Sequence, residues 1–426
     1  MSSQAVGSRA GRARAFAVVL SAGLALSACG GRPTGFLDPS PGFVSPPGAS
    51  RVDMLVATTR ASDGAAPGQM FTGERGPIAF ADISVSIPPD SVRQIGEIQW
   101  PDSPPGDPTR QFVTISADRL DGKNALATFD RRIAREPGRR VLLFVHGFNT
   151  RFEEAVYRFA QIIHDSGAPA LPVLFTWPSR GKLFAYPYDR ESANYSRNAL
   201  EALLQLLAKD KNVAEVTVLA HSMGNWVALE ALHQMSVRNG RIAPKIANIV
   251  LAAPDVDYDV FKRDIEGLGP DHPPITMFVA RDDKALAVSQ RLWGGIRAGA
   301  IDPEAEPYKS ALEKAKINAV DLTDVKSPDS LNHSKFAESP EIVRLIGQRL
   351  AAGQTLNDGR ASMGEKIGVL TMGAATTVGA AAGVALSAPL AVIDPDTRET
   401  LGDRAQHVGE TFGNTFKSAA DVVPGR

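Results

Sequence analysis

The sequence predicts an α/β protein with a mostly parallel central sheet, helices on both faces and antiparallel strands at its N-terminal side. Three observations predict it. From about residue 140 onward, short apolar runs alternate with amphipathic stretches, the pattern of strands buried on both faces by crossover helices. Before residue 120, three closely spaced runs, one of them cleanly alternating apolar and polar residues, favour antiparallel neighbours. Polar and small residues then follow the strand ends, where open parallel sheets carry their chemistry. In order, the antiparallel strands are expected over 52–58, 83–87 and 112–115. The parallel strands are expected over 141–145, 172–175, 216–219, 246–252, 275–280 and 317–322. Helices are expected over 152–164, 190–207, 225–235, 258–266, 284–297 and 340–352.

Composition narrows the class. With 46 Lys+Arg against 47 Asp+Glu, the chain lacks the basic excess of a nucleic-acid binder, so no nucleic-acid partner is expected. At 43% hydrophobic and 22% charged residues it is globular rather than disordered. Cys29 is the single cysteine, which excludes an intrachain disulfide and a cysteine-built zinc site. Such scarcity points to the cytosol; the position of Cys29 points elsewhere. Arg9, Arg12 and Arg14 precede an apolar run through 15–26 that suits a signal-peptide core. The following Leu26-Ser27-Ala28-Cys29-Gly30 resembles the lipobox of bacterial lipoproteins. That resemblance implies a signal peptide over 1–28, an acylated Cys29 and a membrane partner reached through the acyl anchor. Gly30, rather than Asp, implies a bacterial outer membrane, with the protein facing the periplasm. Residues 29–50, rich in Pro, Gly and Ser, are expected to form a tether, with the globular domain over 51–352.

Beyond 352 the composition changes again. Residues 367–393 carry no charge, exceed the ~20 residues that span a bilayer, and contain Gly379 and Gly383 in a small-xxx-small pattern. Ala, Gly and Thr contribute little transfer energy, and Pro389 interrupts the run. Membrane association, packing on the domain, or homo-oligomer contacts are the expectations for this tail.

The chemistry-bearing residues follow the strands. After 216–219 comes Ala220-His221-Ser222-Met223-Gly224, then a helix. This resembles the nucleophile elbow of α/β-hydrolases, with Ala220 at the usual first glycine. A sharp strand-to-helix turn raises a serine hydroxyl above the sheet, and small residues on either side let strand and helix approach. The bland alternative for Ser222 is a helix N-cap. After 141–145 comes His146-Gly147-Phe148-Asn149. An oxyanion hole needs two backbone amides aimed at the developing charge; Met223 and Phe148 are the candidates. Among the seven histidines, His333 alone follows the last strand and a polar loop, on the same sheet edge as Ser222. The acid should follow an intervening strand. In the family it commonly stands three positions before an apolar residue that begins the next helix. Asp283 fits that frame with Leu286, and Asp282 and Asp255 are the alternatives.

Several further segments carry a closer resemblance: Val56-Ala57-Thr58-Thr59-Arg60, 144–149, Phe175-Thr176-Trp177-Pro178-Ser179, 252–257 and Asn332-His333-Ser334. Across 52–352 the chain resembles a bacterial, esterase/lipase-like branch of the α/β-hydrolases whose substrates are largely undefined. The resemblance implies the α/β-hydrolase fold and cleavage of a small-molecule or lipid ester by Ser222, Asp283 and His333. This chemistry calls for no metal or cofactor. The segment 177–188 is expected to overhang the site, with Trp177, Phe184 and Tyr186 as a substrate pocket and Arg180 and Lys182 near an anionic headgroup. The same residues would equally serve a thioesterase or an acyltransferase; a non-catalytic envelope scaffold is the rival from another class.

Overall fold

The computed structural model describes residues 34–351 apart from 63 and 65–69. Cys29, its preceding apolar run and the uncharged stretch 367–393 lie outside the described residues. The fold is that of the α/β-hydrolases. Nine strands form one sheet in the order β3-β2-β1-β5-β4-β6-β7-β8-β9. β1 (Ser50–Arg60), β2 (Arg75–Ile87) and β3 (Val113–Leu120) pair antiparallel. β4 (Arg140–Val145), β5 (Leu171–Thr176), β6 (Glu215–His221), β7 (Ile246–Ala252), β8 (Ile275–Val279) and β9 (Ile317–Asp321) run parallel, and β1 joins them through a parallel pairing with β5.

The helices are α1 (Gly122–Ile133), α2 (Phe152–Ser166), α3 (Tyr186–Lys209), α4 (Gly224–Asn239), α5 (Tyr258–Gly267), α6 (Lys284–Trp293), α7 (Tyr308–Lys314), α8 (Lys335–Glu338) and α9 (Pro340–Ala351). The parallel strands are apolar on both faces because both faces are covered. One core includes Leu143, Val218, Leu251 and Met277 with Leu204, Val227 and Ile265; the other includes Phe144, Leu219 and Phe278 with Phe159 and Ile346.

Three departures from the sequence expectations have local causes. Helix α6 stops at Trp293 rather than 297, because Gly294 and Gly295 follow at positive φ. Helices α1, α7 and α8 were not expected; α1 is amphipathic and capped by Asp121, whose side chain accepts from the Asn124 amide. The expected tether also overlaps the domain. Phe36 and Leu37 are fully buried, and the Phe36 carbonyl accepts from Thr114 Oγ1 at 2.7 Å and Tyr157 Oη at 3.0 Å. The packed domain therefore begins before residue 51. Pro and Gly around a Phe-Leu pair made the segment read as a spacer, although those two side chains fill the core.

Candidate active site

β6 delivers Ser222 into a left-handed turn at φ 53°, and α4 starts two residues later. For a residue with a Cβ this conformation costs on the order of 1–2 kcal/mol. The turn is tied down on both sides. Ser222 N donates to Ala252 O at 3.0 Å; Ser222 O accepts from Asn225 N at 3.1 Å and Asn225 Nδ2 at 2.9 Å. Gly224 is required sterically: a Cβ there would stand 2.3 Å from His146 O. Gly147 is held just as closely, since its Cβ would lie 2.8 Å from Ser222 Cβ. The loop after β4 therefore presses directly on the Ser222 turn. Among the described residues, neither the Phe148 nor the Met223 amide has a hydrogen-bond acceptor, which leaves both as open donors. Positive φ at Asn149, Ser222, Ala253 and Asn332 gathers backbone strain on this one edge, where strained residues often mark function.

Asp283 ends the turn after β8 and caps α6. Its Oδ1 accepts from Leu286 N at 2.9 Å, and its Oδ2 accepts from His333 Nδ1 at 2.7 Å. The cap and the histidine contact share one buried carboxylate. Because Nδ1 donates, Nε2 of His333 carries the lone pair and can take a proton. Burial disfavours the charged ring. The Asp283 charge and hydrogen bond, aided by Asp255 and Asp329, outweigh burial and hold the His333 pKa above its ordinary value.

The other two candidate acids do different work. Asp282 pairs with Lys335 at 2.8 Å and accepts from Asn332 Nδ2 at 2.8 Å, so it fastens the loop on both sides of His333. Lys335 also donates to Leu322 O and Thr323 O, and Asp329 Oδ2 accepts from the His333 and Ser334 amides. Asp255 is buried and accepts from Tyr186 Oη at 3.0 Å and Ser289 Oγ at 2.7 Å. Burial and the Asp255 charge push the Tyr186 hydroxyl up to about 12.

The expected substrate residues divide. Trp177 is corrected: it is fully buried, stacks on His146 with centroids 5.1 Å apart, and donates from Nε1 to His146 O at 2.8 Å. It packs the loop rather than facing a cavity. Tyr186 is buried against Asp255, with its ring edge-on to Phe148 at 5.0 Å. Phe184 is 95% exposed and does not line the cavity beside His333. The segment 177–188 is also not all loop, because α3 begins at Tyr186. A cavity of about 490 Å3 opens beside His333, between Gly147, Phe148 and His221 and the N-terminal residues Phe36 and Trp100. The distance in sequence between Phe36 or Trp100 and the motifs hid this wall.

Sequence reasoning also missed the centre that holds the loops. Arg60 is buried and donates from Nε to Thr176 Oγ1, from Nη1 to Ser179 O and from Nη2 to Thr150 O, each at 2.8 Å. These bonds join β1, the loop after β4 and the loop after β5. Its charge faces buried Asp189, which accepts from Ser179 Oγ at 2.5 Å and Arg180 N at 3.0 Å. His146 fills the same junction. Trp177 N donates to its Nε2, so Nδ1 carries the proton and donates to Gly147 O at 2.8 Å. Burial, then the Arg60 charge, lower its pKa to about 3, so the ring stays neutral. The signal was present as an arginine closing an apolar strand in Val56-Ala57-Thr58-Thr59-Arg60. Among the described residues, no group of three or more His, Cys, Asp or Glu could hold a metal ion.

The fold and this strand-end constellation define an α/β-hydrolase. The family model for an alpha/beta hydrolase of unknown function (DUF900) matches residues 122–349, and the chain belongs to that family. An uncharacterized protein of Nostoc sp. (strain PCC 7120), alr1448, is 26% identical over 133 residues, covering 25% of this chain and 34% of the relative. The matched region thus spans about a third of that relative's length. Among solved structures, the Pyrococcus furiosus esterase Pf2001 aligns at 14% identity and TM-score 0.30, covering 50% of this chain and 82% of the esterase. A lipase-esterase related protein from Clostridium acetobutylicum aligns at 12% identity and TM-score 0.27, covering 51% and 95% respectively. Both likenesses are too distant to bear on the chemistry of this chain.

Proposed function

We propose that this hydrolase cleaves carboxylic esters through an acyl-enzyme on Ser222. His333 Nε2 takes the Ser222 proton as the hydroxyl attacks the acyl carbonyl. Asp283 holds the ring in the needed tautomer and stabilises the imidazolium, and the Phe148 and Met223 amides receive the oxyanion. His333 then gives its proton to the departing alkoxide, and water resolves the acyl-enzyme by the reverse route. The observation that carries this reading is the 2.7 Å contact of His333 with the buried Asp283, on the same edge as the strained Ser222 turn. Strain at a serine is hard to account for in a scaffold, where a glycine would serve at lower cost.

A p-nitrophenyl ester panel run beside Ser222→Ala tests it. Turnover is expected to fall by three or more orders of magnitude in the variant; equal turnover in both proteins would remove Ser222 from the reaction. Thioester panels and alcohol acceptors in the same assay report whether thioester cleavage or acyl transfer exceeds ester hydrolysis.

The proposed location is a bacterial envelope, facing the periplasm, with Cys29 as the acylated anchor. The support is the coincidence of a cationic start, an apolar run, a lipobox-like stretch and the only cysteine. A single chain anchors marginally, whereas two or three hold stably. Cys29→Ala should turn salt-resistant membrane association into weak, salt-sensitive association; unchanged salt-resistant retention would shift the anchor to 367–393. Among the described residues no helix is long and apolar enough to cross a membrane.

A further inference from the structure

Two short segments beside the candidate site repeat one pattern: a cation, a leucine and an aromatic residue, all turned to solvent. Lys182-Leu183-Phe184 forms the turn before α3, and Arg291-Leu292-Trp293 ends α6. Leu183 is 53% exposed and Leu292 67%, beside the almost wholly exposed Phe184. The two segments are adjacent in space, because Trp293 stacks with centroids 4.9 Å apart on Tyr186, two positions after Phe184. Among the described residues neither Lys182 nor Arg291 has an ion-pair partner. A contiguous apolar patch at a site's rim marks an interaction surface. Paired cations on its border choose among occupants, since aromatic and leucine side chains enter a bilayer interface while Lys and Arg meet its anionic headgroups.

The chain outside the described residues points the same way. Cys29 stands seven positions before Phe36, a reach of at most about 25 Å. Phe36 lines the cavity that also contains Phe148 and His333, and Phe148 meets Tyr186. Chain length therefore keeps Cys29 within about 25 Å of the cavity wall, and the cavity is joined to the patch through Phe148 and Tyr186.

We propose that the two triplets dock on an anionic lipid surface and set the mouth of the cavity against the bilayer. The orientation rests on the anchored-hydrolase reading; the docking itself does not. On this geometry an acyl ester enters the cavity from the membrane plane past Phe148, without crossing bulk water.

Flotation of the full chain carrying Cys29→Ala, with phosphatidylcholine vesicles with and without phosphatidylglycerol, tests the docking. The unacylated chain should float, and more so with phosphatidylglycerol. Leu183→Ser/Leu292→Ser in the same chain should weaken partition at least about tenfold. Lys182→Gln/Arg291→Gln should lose about fivefold per charge, on phosphatidylglycerol vesicles only. Turnover of soluble p-nitrophenyl acetate by the leucine variant should stay unchanged. Every variant carries the same tail, so differences report the triplets. Equal flotation of the leucine variant and its parent would overturn the proposal. So would a dimer that the leucine substitutions dissolve, which would make the patch a self-association face. A lack of ester turnover would count against the hydrolase reading alone, because flotation needs no catalysis.

Discussion

The Asp283 carboxylate caps α6 through Oδ1 and meets His333 through Oδ2, so the cap fixes the rotamer that the histidine needs. Asp283→Asn is expected to cut kcat by three to four orders of magnitude, because an amide favours the wrong histidine tautomer. Asp282→Asn should cost far less and act by loosening the Lys335 loop; p-nitrophenyl ester kinetics on the two variants rank them. On the proposed mechanism the pH dependence comes from His333. A base must be neutral, so kcat/KM should fall as pH drops through the free-enzyme His333 pKa, which lies above the ordinary ~6.5. In Asp283→Asn the residual acid limb should move to lower pH. Linkage adds a stability effect of fixed sign. A raised folded-state pKa contributes stability that is present below the unfolded value and lost as pH rises through the folded one. Sequence reasoning reached Asp283 because its frame with Leu286 is local. It could not see that Asp282 pairs with Lys335, since that contact joins the turn after β8 to α8, 53 residues further along the chain.

At the level of elements, loops are held by buried polar centres that no periodicity announces. Arg60 joins β1 to the loops after β4 and β5, and its removal would leave Ser179 O and Thr150 O short of a donor in the interior. Arg60→Met is expected to destabilise by about 3 kcal/mol and to lower kcat more than it raises KM, through movement of the Phe148 amide; urea midpoints and steady-state kinetics separate the two effects. On the opposite side of the sheet edge, Arg93 and Asp165 form a buried pair at 2.7 Å that clips the 90–97 segment to α2. Although burial opposes ionisation, His164, Arg93, the Gly96 amide and Gln161 hold Asp165 down at about 2. A depressed carboxylate gives stability that is present above the unfolded pKa of ~3.9 and lost as pH falls toward 2. The loss should be on the order of 2 kcal/mol and absent in Asp165→Asn, as thermal unfolding between pH 5 and pH 2 would show. Helix and strand positions were legible because burial imposes a period. The early stop of α6 at Gly294 was legible in principle, and the solvent-facing Leu292 and Trp293 blurred it.

For the whole molecule, the packed unit is larger than its composition indicates. Phe36 and Leu37 seal the core over Tyr157 and Phe112, and Phe36 also lines the cavity next to His333. Phe36→Ala should lower stability by about 3 kcal/mol and alter ester chain-length preference, while truncation just before Thr34 should change neither; melting temperatures and a C2–C12 ester series check both. The cavity thus draws part of its wall from outside the 122–349 region that matches the family model. A substrate preference particular to this chain would be set by that wall.

The sequence by itself determined the succession of strands, six of the nine described helices, the mostly parallel sheet, and the Ser222, Asp283 and His333 candidates, because each depends on spacing along one element or on the residue types just past a strand end. Only the tertiary structure decided that Asp283 rather than Asp282 or Asp255 meets His333, that Trp177 is packing, and that Arg60 and Phe36 complete the site. Those outcomes depend on which distant segments share a buried volume, and one-dimensional spacing carries no measure of that.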